Sequence, residues 1–467
     1  MTSGLRKLLA DLDARIVQQR RILLELEQNR SNLLLELHNI ATFDVLTLPV
    51  EITTEIFLWC HQISDPSVIP SDSNRSAPLV LAAVCRAWRA IALTTPELWA
   101  SLKVTFDKLR IVESGSGFGP VYNFVELWLS RAKDWPLSLS LSALIRFTSS
   151  NLAAARHLRC ILDRWSPQIA SLELFINNCD IRSLGLDEAT LPVLERAVLI
   201  DEGGPTDYLD GGPIGFFHNA PLLHNVRLQL GSQTSYELPW TQLTSFEGEM
   251  ADLEILILLP NLIELKCRFL PDEEDFDIQE HACLRSLTLD DHCPVDILQY
   301  LTLPALEFLD LSSAVVESYS SLPSFFARSS PPLQSLHLGG RSECLAYWHA
   351  FMPRVTHTLT DVVVHRGDGI VEFFLKSSLL IPYPNIRSLI FQYPGQCSAP
   401  TLMEFVHEVS GQLQTLKFIW FAPPLLQHAI YSGPTGSKIV DSVAGHLRRL
   451  SQTGMEVHFG TTSQNYL

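Results

Sequence analysis

Two histidines and two cysteines lie within one short stretch of the sequence: His281, Cys283, His292 and Cys293. Imidazole and thiolate groups are ligands that zinc takes in proteins, so these side chains are the first candidates for chemistry. Their spacing, however, runs across a predicted strand at 284–289 and matches none of the familiar zinc-ligand patterns. We therefore expect ordinary packing at these positions and no metal site.

Two further stretches have compositions that occur in ligand-binding loops. Residues 115–119 space their glycines as GxGxG, but no GK[ST] follows, and Pro120 is expected to separate them from the next helix. A phosphate-binding loop leads directly into a helix N-terminus. The acidic run at 272–277 lacks the glycine turn of a calcium loop. We interpret the first stretch as a linker and the second as a solvated loop.

The sequence contains no GxSxG nucleophile elbow, no HExxH helix and no Walker loop. None of its 15 histidines belongs to a recognisable nucleophile motif. We therefore expect that the protein is not an enzyme and that it uses no cofactor.

The charge of the chain is unevenly distributed. Its 467 residues carry a formal net charge of −17, yet 1–110 contain 12 basic and 12 acidic residues. The whole excess therefore lies in 111–467, where 22 basic residues accompany 39 acidic ones. An acidic balance argues against a nucleic-acid partner, because phosphate binding needs clustered Lys and Arg, and it favours a basic partner.

The cysteines and the N-terminal residues indicate the compartment. Nine cysteines, an odd number without a CxxC pair, are typical of reduced thiols. The first residues lack the apolar stretch of a signal peptide, since Asp11 and Asp13 interrupt it. No run approaches the roughly 18 apolar residues of a membrane span. We expect a cytoplasmic or nuclear protein, or one present in both compartments, without a membrane partner.

Residues 1–42 have the clearest periodicity of the chain. With Leu9 at an a position, nine of the eleven a and d positions from Leu5 to Ile40 are Leu or Ile, and Gln19 and Arg30 are the exceptions. The pattern predicts a helix of roughly 54 Å at 1.5 Å per residue. It favours a coiled coil that self-associates, with a helix folded back on the rest of the chain as the alternative.

Residues 43–102 are predicted to form a compact helical unit. A proline and an acidic residue at 48–51 open its first helix, whose apolar residues follow at helical spacing. The polar stretch 64–76 is predicted to be a loop, 81–92 a second helix and 95–99 a short turn. Such a small unit has a marginal core and would gain stability by docking on a partner.

Three strings in this unit resemble an F-box: LPVEITTEIF at 48–57, VCRAWR at 84–89 and LW at 98–99. A heptad helix before such a box is similar to the F-box-like proteins of fungi, although the first loop, at 61–77, is longer than usual. The resemblance implies a module that binds the Skp adaptor of cullin–RING ubiquitin ligases, while the rest of the chain selects the substrate. The residues that match adaptor-facing or box-core positions are Leu48, Pro49, Ile52, Ile56, Phe57, Leu81, Val84, Cys85, Trp88, Leu98 and Trp99.

From about residue 165 an apolar residue recurs at i, i+3 and i+5 in eleven copies spaced by 19 to 29 residues. The spacing resembles leucine-rich repeats, in which each unit contributes one short parallel strand and a helix or irregular return. The Asn or Cys that usually follows the strand is mostly missing, so we expect imperfect stacking. We assign 103–165 to the first, degenerate turns, so that 103–467 forms one solenoid that needs no single large core. The copies begin at Ile169, Leu194, Leu223, Leu243, Leu262, Leu284, Leu306, Leu333, Leu359, Ile386 and Leu413.

Side chains alternate along a strand, so the residue between the second and third apolar positions of each repeat is expected on a common concave face. Such a groove suits a protein or peptide ligand with a few buried anchors. Each position is as readily explained as ordinary surface. From this row and the row two residues earlier, we expect substrate contacts at Arg227, Lys266, Phe308, Asp310, His337, Val363 and Ile390.

The sequence as a whole predicts an α/β fold: a long N-terminal helix, a three-helix F-box, and an irregular leucine-rich repeat solenoid with short parallel strands. The expected function is that of the substrate-recognition subunit of a Skp–cullin–F-box ubiquitin ligase. Its expected partners are the Skp adaptor, cullin through that adaptor, and a protein substrate of basic character. The alternative is a non-catalytic scaffold that uses the coiled coil and the solenoid for assembly without ubiquitin transfer.

Overall fold

The structure, a computed structural model, divides into two compact units. The helical unit comprises Met1–Pro66 and Asp72–Trp99, and the sheet unit comprises Ser67–Ser71 and Ala100–Leu467. The residues that the structure describes are 2–40, 45–63, 67–68, 76–105, 118–143, 151–176, 189–201, 214–215, 217–229, 236–250, 252–269, 276–290, 295–313, 319–339, 348–355, 357–365, 385–392, 397–398, 404–407, 413–420, 430–431, 445–452, 454–462 and 465.

The helical unit begins with a helix of 39 residues, α1, in agreement with the heptad pattern. Prolines mark the starts of the next two α-helices: Pro49 precedes α2, and Pro78 lies in the first turn of α3, where no backbone N–H is needed. The extended backbone of Cys85 separates α3 from α4. The helices are α1 (Thr2–Ile40), a 3₁₀ turn (Val45–Thr47), α2 (Val50–Ile63), α3 (Ala77–Val84), α4 (Arg86–Thr94) and a second 3₁₀ turn (Pro96–Trp99).

A small core holds the helical unit together. Phe57 of α2 is fully buried and meets the ring of Trp88 edge-on at 5.0 Å. Trp99 is also fully buried, and its indole N–H donates a hydrogen bond of 2.8 Å to the carbonyl of Ala92. A buried indole is stable only when its N–H is bonded, so this contact fixes the 3₁₀ turn against the end of α4.

In the part of the chain that the structure describes, the sheet unit is built on one large sheet of fifteen parallel strands. Strands adjacent in the sheet follow one another in sequence, as in a solenoid, where each turn of the chain adds one strand. The strands are β1 (Ser67–Val68), β2 (Ser101–Thr105), β3 (Leu137–Ala143), β4 (Ile169–Ile176), β5 (Arg196–Asp201), β6 (Asn225–Gln229), β7 (Ser245–Met250), β8 (Glu264–Phe269), β9 (Ser286–Leu289), β10 (Phe308–Leu311), β11 (Ser335–Leu338), β12 (Asp361–His365), β13 (Ser388–Gln392), β14 (Thr415–Trp420) and β15 (Glu456–Thr461).

One face of this sheet is buried. Every residue of the eleven predicted apolar triplets is buried, so the pattern correctly identified the inward side of each repeat. Most residues between them are only half-buried and form what we call the open face. The pairing is in register along the sheet: Lys266 is paired with Thr288, and Asp310 with His337.

Helices follow many of the strands and pack on the buried face. Phe405 lies in a helical turn at 404–407 and contacts two strand residues, Phe391 at 5.7 Å and Phe418 at 6.5 Å between ring centres. The named helices of this unit are α5 (Phe118–Leu129), α6 (Asn151–Trp165), α7 (Ile255–Leu258), α8 (Leu322–Ser329) and α9 (Trp348–Val355), with 3₁₀ turns at Trp240–Gln242 and Val295–Tyr300.

Polar side chains join consecutive repeats. Arg328, near the end of α8, donates from Nη2 to the carbonyls of Leu298 at 3.0 Å and Leu301 at 2.7 Å. Its Nε donates to the hydroxyl of Thr302 at 3.1 Å. Carbonyls at the end of a helix lack helical partners, and a cation near them is favourable. The helix of one repeat therefore caps the 3₁₀ turn of the preceding repeat.

The predicted architecture is confirmed in its main features: a mixed α/β chain with a long N-terminal helix and a large parallel sheet that is solenoid-like. Several details differ from the prediction. The segment 81–92, predicted as one helix, belongs to two helices, α3 and α4, because the extended backbone of Cys85 interrupts it. Ser67–Val68, placed in a loop, forms the first strand, and the helix α6 was not foreseen. Strand β15 was missed because Gly454, with a φ of +99°, occupies the first position of its triplet.

The two compact units divide between Trp99 and Ala100. The sheet unit already includes residues from Ala100 onward, because β2 begins at Ser101. Within the described part of the chain, no helix has both the length and the apolar character needed to cross a membrane.

Candidate functional site

The first candidate surface is the outer side of α2. Its side chains Ile52, Ile56 and Trp59 are 48, 41 and 63 % exposed. They are spaced at i, i+4 and i+7, so they form one stripe on the helix. A different side of α2 carries Thr53 and Phe57, which are buried. The helix therefore buries one side in the core and exposes a separate apolar stripe to solvent.

Local hydrogen bonds hold this helix and its neighbours in place. The Thr53 hydroxyl donates to the carbonyl of Pro49 at 3.1 Å, within the first turn of α2. Cys85 caps α4, since its sulfur accepts from the backbone N–H of Trp88 at 3.4 Å. Arg89 Nε donates to the carbonyl of Ala82 at 2.7 Å and so satisfies a carbonyl near the end of α3.

The structure divides the eleven residues suggested by the resemblance into two groups. Residues of the first group lie in the core of the helical unit, so their side chains are not available to a partner in this arrangement; the ring of Trp99 is one of them. The buried group is Phe57, Leu81, Leu98 and Trp99, and the group with exposed or half-buried side chains is Leu48, Pro49, Ile52, Ile56, Val84, Cys85 and Trp88.

One exposed residue was left out of the predicted contact set. Trp59 is 63 % exposed on the same stripe as Ile52 and Ile56. Its position seven residues after Ile52 was the available signal, since residues three, four and seven apart lie on one face of a helix. Tryptophan is enriched among the residues that dominate binding energies, so Trp59 is a stronger anchor candidate than the buried Trp99.

The second candidate surface is the open face of the sheet. Its predicted central row is aligned by the strand register, from Arg227 on β6 through Lys266, Asp310 and His337 to Ile390 on β13. Phe308 lies one row earlier on β10. The predicted contact residues therefore do lie along one surface, with a spacing of about 4.8 Å between strands.

Charged side chains of this face form a ladder between β6 and β9. Glu247 forms ion pairs with residues of both neighbouring strands, with Arg227 at 3.4 Å and with Lys266 at 2.9 Å. Lys266 also approaches Asp290 at 3.8 Å. These side chains are 30 to 42 % exposed, so each pair contributes little to stability. The ladder instead fixes where positive and negative groups are presented to a ligand.

A more buried polar cluster follows on β10 and β11. His337 Nδ1 lies 3.4 Å from Asp310 Oδ2, and both side chains are less than a quarter exposed. Asp310 also accepts from the backbone N–H of Ser312 at 2.8 Å. The His337 ring meets Phe308 edge-on at 4.9 Å between ring centres. The cluster combines one aromatic ring, one imidazole and one carboxylate on adjacent strands.

The environment of Asp310 determines its ionisation. Burial raises the pKa of its carboxyl, but hydrogen bonds from His337 and Ser312 outweigh burial and lower the pKa from 3.8 to about 2. At the other end of the sheet, the hydrogen bond from Lys417 at 2.6 Å lowers the pKa of Glu456 on β15.

The lowered pKa of Asp310 predicts a pH-dependent contribution to stability. Since the folded pKa lies below the unfolded value, the carboxylate stabilises the fold above about pH 4 and loses this effect as the pH falls toward 2. We expect Asp310→Asn to reduce the free energy of unfolding by roughly 1–2 kcal/mol at neutral pH. Urea titrations of the unaltered chain and of Asp310→Asn from pH 7 to pH 2 should show the difference in their free energies of unfolding shrinking. A difference that does not depend on pH would contradict the lowered pKa of Asp310.

Val363 does not meet the expectation for a contact residue. It lies in the predicted row, paired with His337 and Ile390, but is only 6 % exposed. Its short branched side chain lies between larger neighbours on the two adjacent strands. Ile390 remains half-buried and accessible from the open face. The apolar part of the row is therefore smaller than the sequence indicated.

Among the residues that the structure describes, no cluster of three or more His, Cys, Asp or Glu side chains could hold a metal ion. His292 and Cys293 lie outside the described residues. His281 is buried and joins two repeats: its Nε2 lies 2.7 Å from the carbonyl of Leu259, and its Nδ1 accepts from the N–H of Leu284. Both ring nitrogens of His281 thus have backbone partners within the fold.

The two other stretches are only partly described. Of the glycine loop, 115–117 lie outside the described residues, and α5 begins at Phe118, so the expectation that Pro120 separates the loop from the helix was wrong. Of the acidic run, 272–275 lie outside, while Asp277 is exposed.

Neither a scan against protein-family models nor a search of curated proteins returned a match for this sequence.

Proposed function

We propose that this protein is the substrate-recognition subunit of a Skp–cullin–F-box ubiquitin ligase. In this proposal the helical unit docks on the Skp adaptor, and the open face of the sheet unit binds a protein substrate. The observation that carries it is the exposed apolar stripe of Ile52, Ile56 and Trp59 on a unit that resembles an F-box in sequence. The non-catalytic scaffold is the alternative, and it requires no adaptor.

The stripe has the character of a protein-binding surface. It consists of large apolar side chains, and two further exposed ones, Val45 and Leu46, shortly precede the helix in sequence. Contiguous exposed apolar surface is uncommon on monomers and marks interaction sites. Glu51 and Glu55 on the same helix are exposed and supply a charged rim that orients a partner.

The open face supports the second half of the proposal. Its ion-pair ladder and the Phe308–His337 contact present charged and aromatic groups on a sheet whose backbone is fixed by pairing on both sides. Carboxylates outnumber Arg and Lys on the open face between β4 and β15, which favours a basic substrate. The carboxylates are Glu173, Glu247, Glu249, Glu264, Asp290, Asp310, Asp361 and Glu456, and the basic residues are Arg196, Arg227, Lys266, Arg268 and Lys417.

The proposed docking surface predicts the result of a single charge insertion. Ile56→Asp in the intact chain should weaken capture of purified Skp adaptor by roughly 30-fold or more, as expected for a buried interface anchor worth about 2 kcal/mol. Leu127→Asp is the matched control, because Leu127 is also an exposed apolar residue, at 63 % against 41 % for Ile56, and lies on α5 of the sheet unit. The binding of each variant is measured by titration.

The outcomes separate the two functions. Loss of binding in Ile56→Asp with retention in Leu127→Asp supports docking through α2. Equal binding of all three proteins rules out α2 as the docking surface. If the unaltered chain does not bind the adaptor, the ubiquitin-ligase function is wrong and the scaffold alternative stands.

A further inference from the structure

The N-terminal helix α1 presents an uncovered hydrophobic seam. Its a and d residues Leu9, Ile16, Leu23, Leu26 and Leu33 are between 48 and 61 % exposed, although they repeat with the coiled-coil period. An exposed apolar stripe over a helix of this length requires a partner in solution. This observation is independent of the proposed function.

The two polar residues of the seam discriminate between orientations of a second helix. In a parallel pair a faces a′ and d faces d′, so Arg30 would face Arg30 of the other copy inside the seam. In an antiparallel pair a faces d′. If each a or d residue n faces residue 49−n, Arg30 of each copy faces Gln19 of the other copy. The polar residues of the seam therefore meet each other and no apolar residue. The same register places Leu23 opposite Leu26 and Ile16 opposite Leu33.

The charges beside the seam select the same register. Flanking g positions then pair Arg15 with Glu36 of the second copy, and flanking e positions pair Arg20 with Glu27; all four side chains are exposed and available. A parallel pair would place Arg15 against Arg20. Moving the antiparallel register by one heptad places either Arg20 against Arg20 or Glu27 against Glu27.

We propose that α1 forms an antiparallel coiled coil with α1 of a second copy of this chain, in which each a or d residue n faces residue 49−n and the flanking e and g pairs are offset from that rule by two residues. The two-fold axis then passes between Leu23 and Leu26, and each dimer gains four flanking ion pairs. At 1.5 Å per residue, the two Ile40 ends of the helices lie about 46 Å apart, at opposite ends of the coiled coil. The residues that follow α1 would therefore leave the coiled coil at opposite ends in the two copies.

The orientation of the two helices predicts whether a charge reversal weakens or strengthens the dimer. In the antiparallel register, Arg20→Glu replaces both Arg20–Glu27 attractions with repulsions, so the dimer dissociation constant should rise about tenfold. In a parallel pair the same change would place the introduced carboxylate against Arg15 of the second copy and tighten the dimer. Arg21→Glu is the matched control, since it makes the same charge change at an f position, away from the seam.

Sedimentation equilibrium of the intact chain and its variants provides the measurement, with circular dichroism to verify equal helicity. We expect a dimer for the unaltered chain and for Arg21→Glu, weaker association for Arg20→Glu, and restored association for Arg20→Glu combined with Glu27→Arg. A monomeric unaltered chain at micromolar concentration, or an Arg20→Glu dimer that is as tight or tighter, would overturn the proposal.

Discussion

Replacing Trp99 with alanine is expected to destabilise the helical unit by about 3–5 kcal/mol, the range for removing a buried Trp side chain. Trp99 is fully buried, and its indole N–H holds the 3₁₀ turn to the end of α4 through Ala92. Hydrogen exchange followed by mass spectrometry should show peptides from α2, α3 and α4 exchanging faster by roughly 10² to several times 10³.

Two comparisons make this test specific. Trp99→Phe keeps most of the ring volume but loses the hydrogen bond, so it should cost only about 1–2 kcal/mol. Trp59→Ala removes a side chain that is 63 % exposed and should leave exchange in the helical unit close to that of the unaltered chain. Unchanged exchange in Trp99→Ala would show that its ring is not part of the core.

The second large effect is expected at Gly339, which follows β11. A Cβ at this position would collide with the carbonyl of Ser312, which follows β10. The buried hydroxyl of Tyr319 also bonds both backbone groups of Gly339, donating to its carbonyl at 2.7 Å and accepting from its N–H at 3.0 Å. Gly339→Ala should therefore lower the free energy of unfolding by about 1–3 kcal/mol, as overpacking against fixed backbone does. Urea denaturation provides the measurement.

Gly445 offers the matched control for this substitution. It begins the helix at 445–452, and a Cβ there would meet nothing within 4 Å. Alanine has a lower conformational entropy in the unfolded chain than glycine, so Gly445→Ala should be neutral or slightly stabilising. Equal destabilisation by both substitutions would contradict the steric explanation at Gly339.

The strands could be predicted because their apolar residues follow a spacing that backbone geometry imposes. Residues at i+3 and i+5 of each triplet lie two apart on a strand and therefore point to the same face. The open-face row follows from the same alternation, which is why Arg227, Lys266, Asp310 and His337 are aligned in register. The prediction failed at β15 where Gly454 removed the first apolar residue of the pattern.

Other features depend on tertiary contacts that periodicity does not encode. Trp59 and Trp99 are both tryptophans in helical segments, but only the fold decides that one is exposed and the other buried. Val363 satisfies the strand pattern, and its burial results from the size of its neighbours. The contacts of Arg328 with the preceding repeat likewise join residues 26 to 30 positions apart, with no local sequence signal.

The most direct test of the proposed docking is to mix the purified intact chain with purified Skp adaptor and the N-terminal part of cullin, and to measure the masses of the complexes. We predict one adaptor per chain, with cullin joining only when the adaptor is present. Failure of the intact, folded chain to bind the adaptor would contradict the proposed ubiquitin-ligase function.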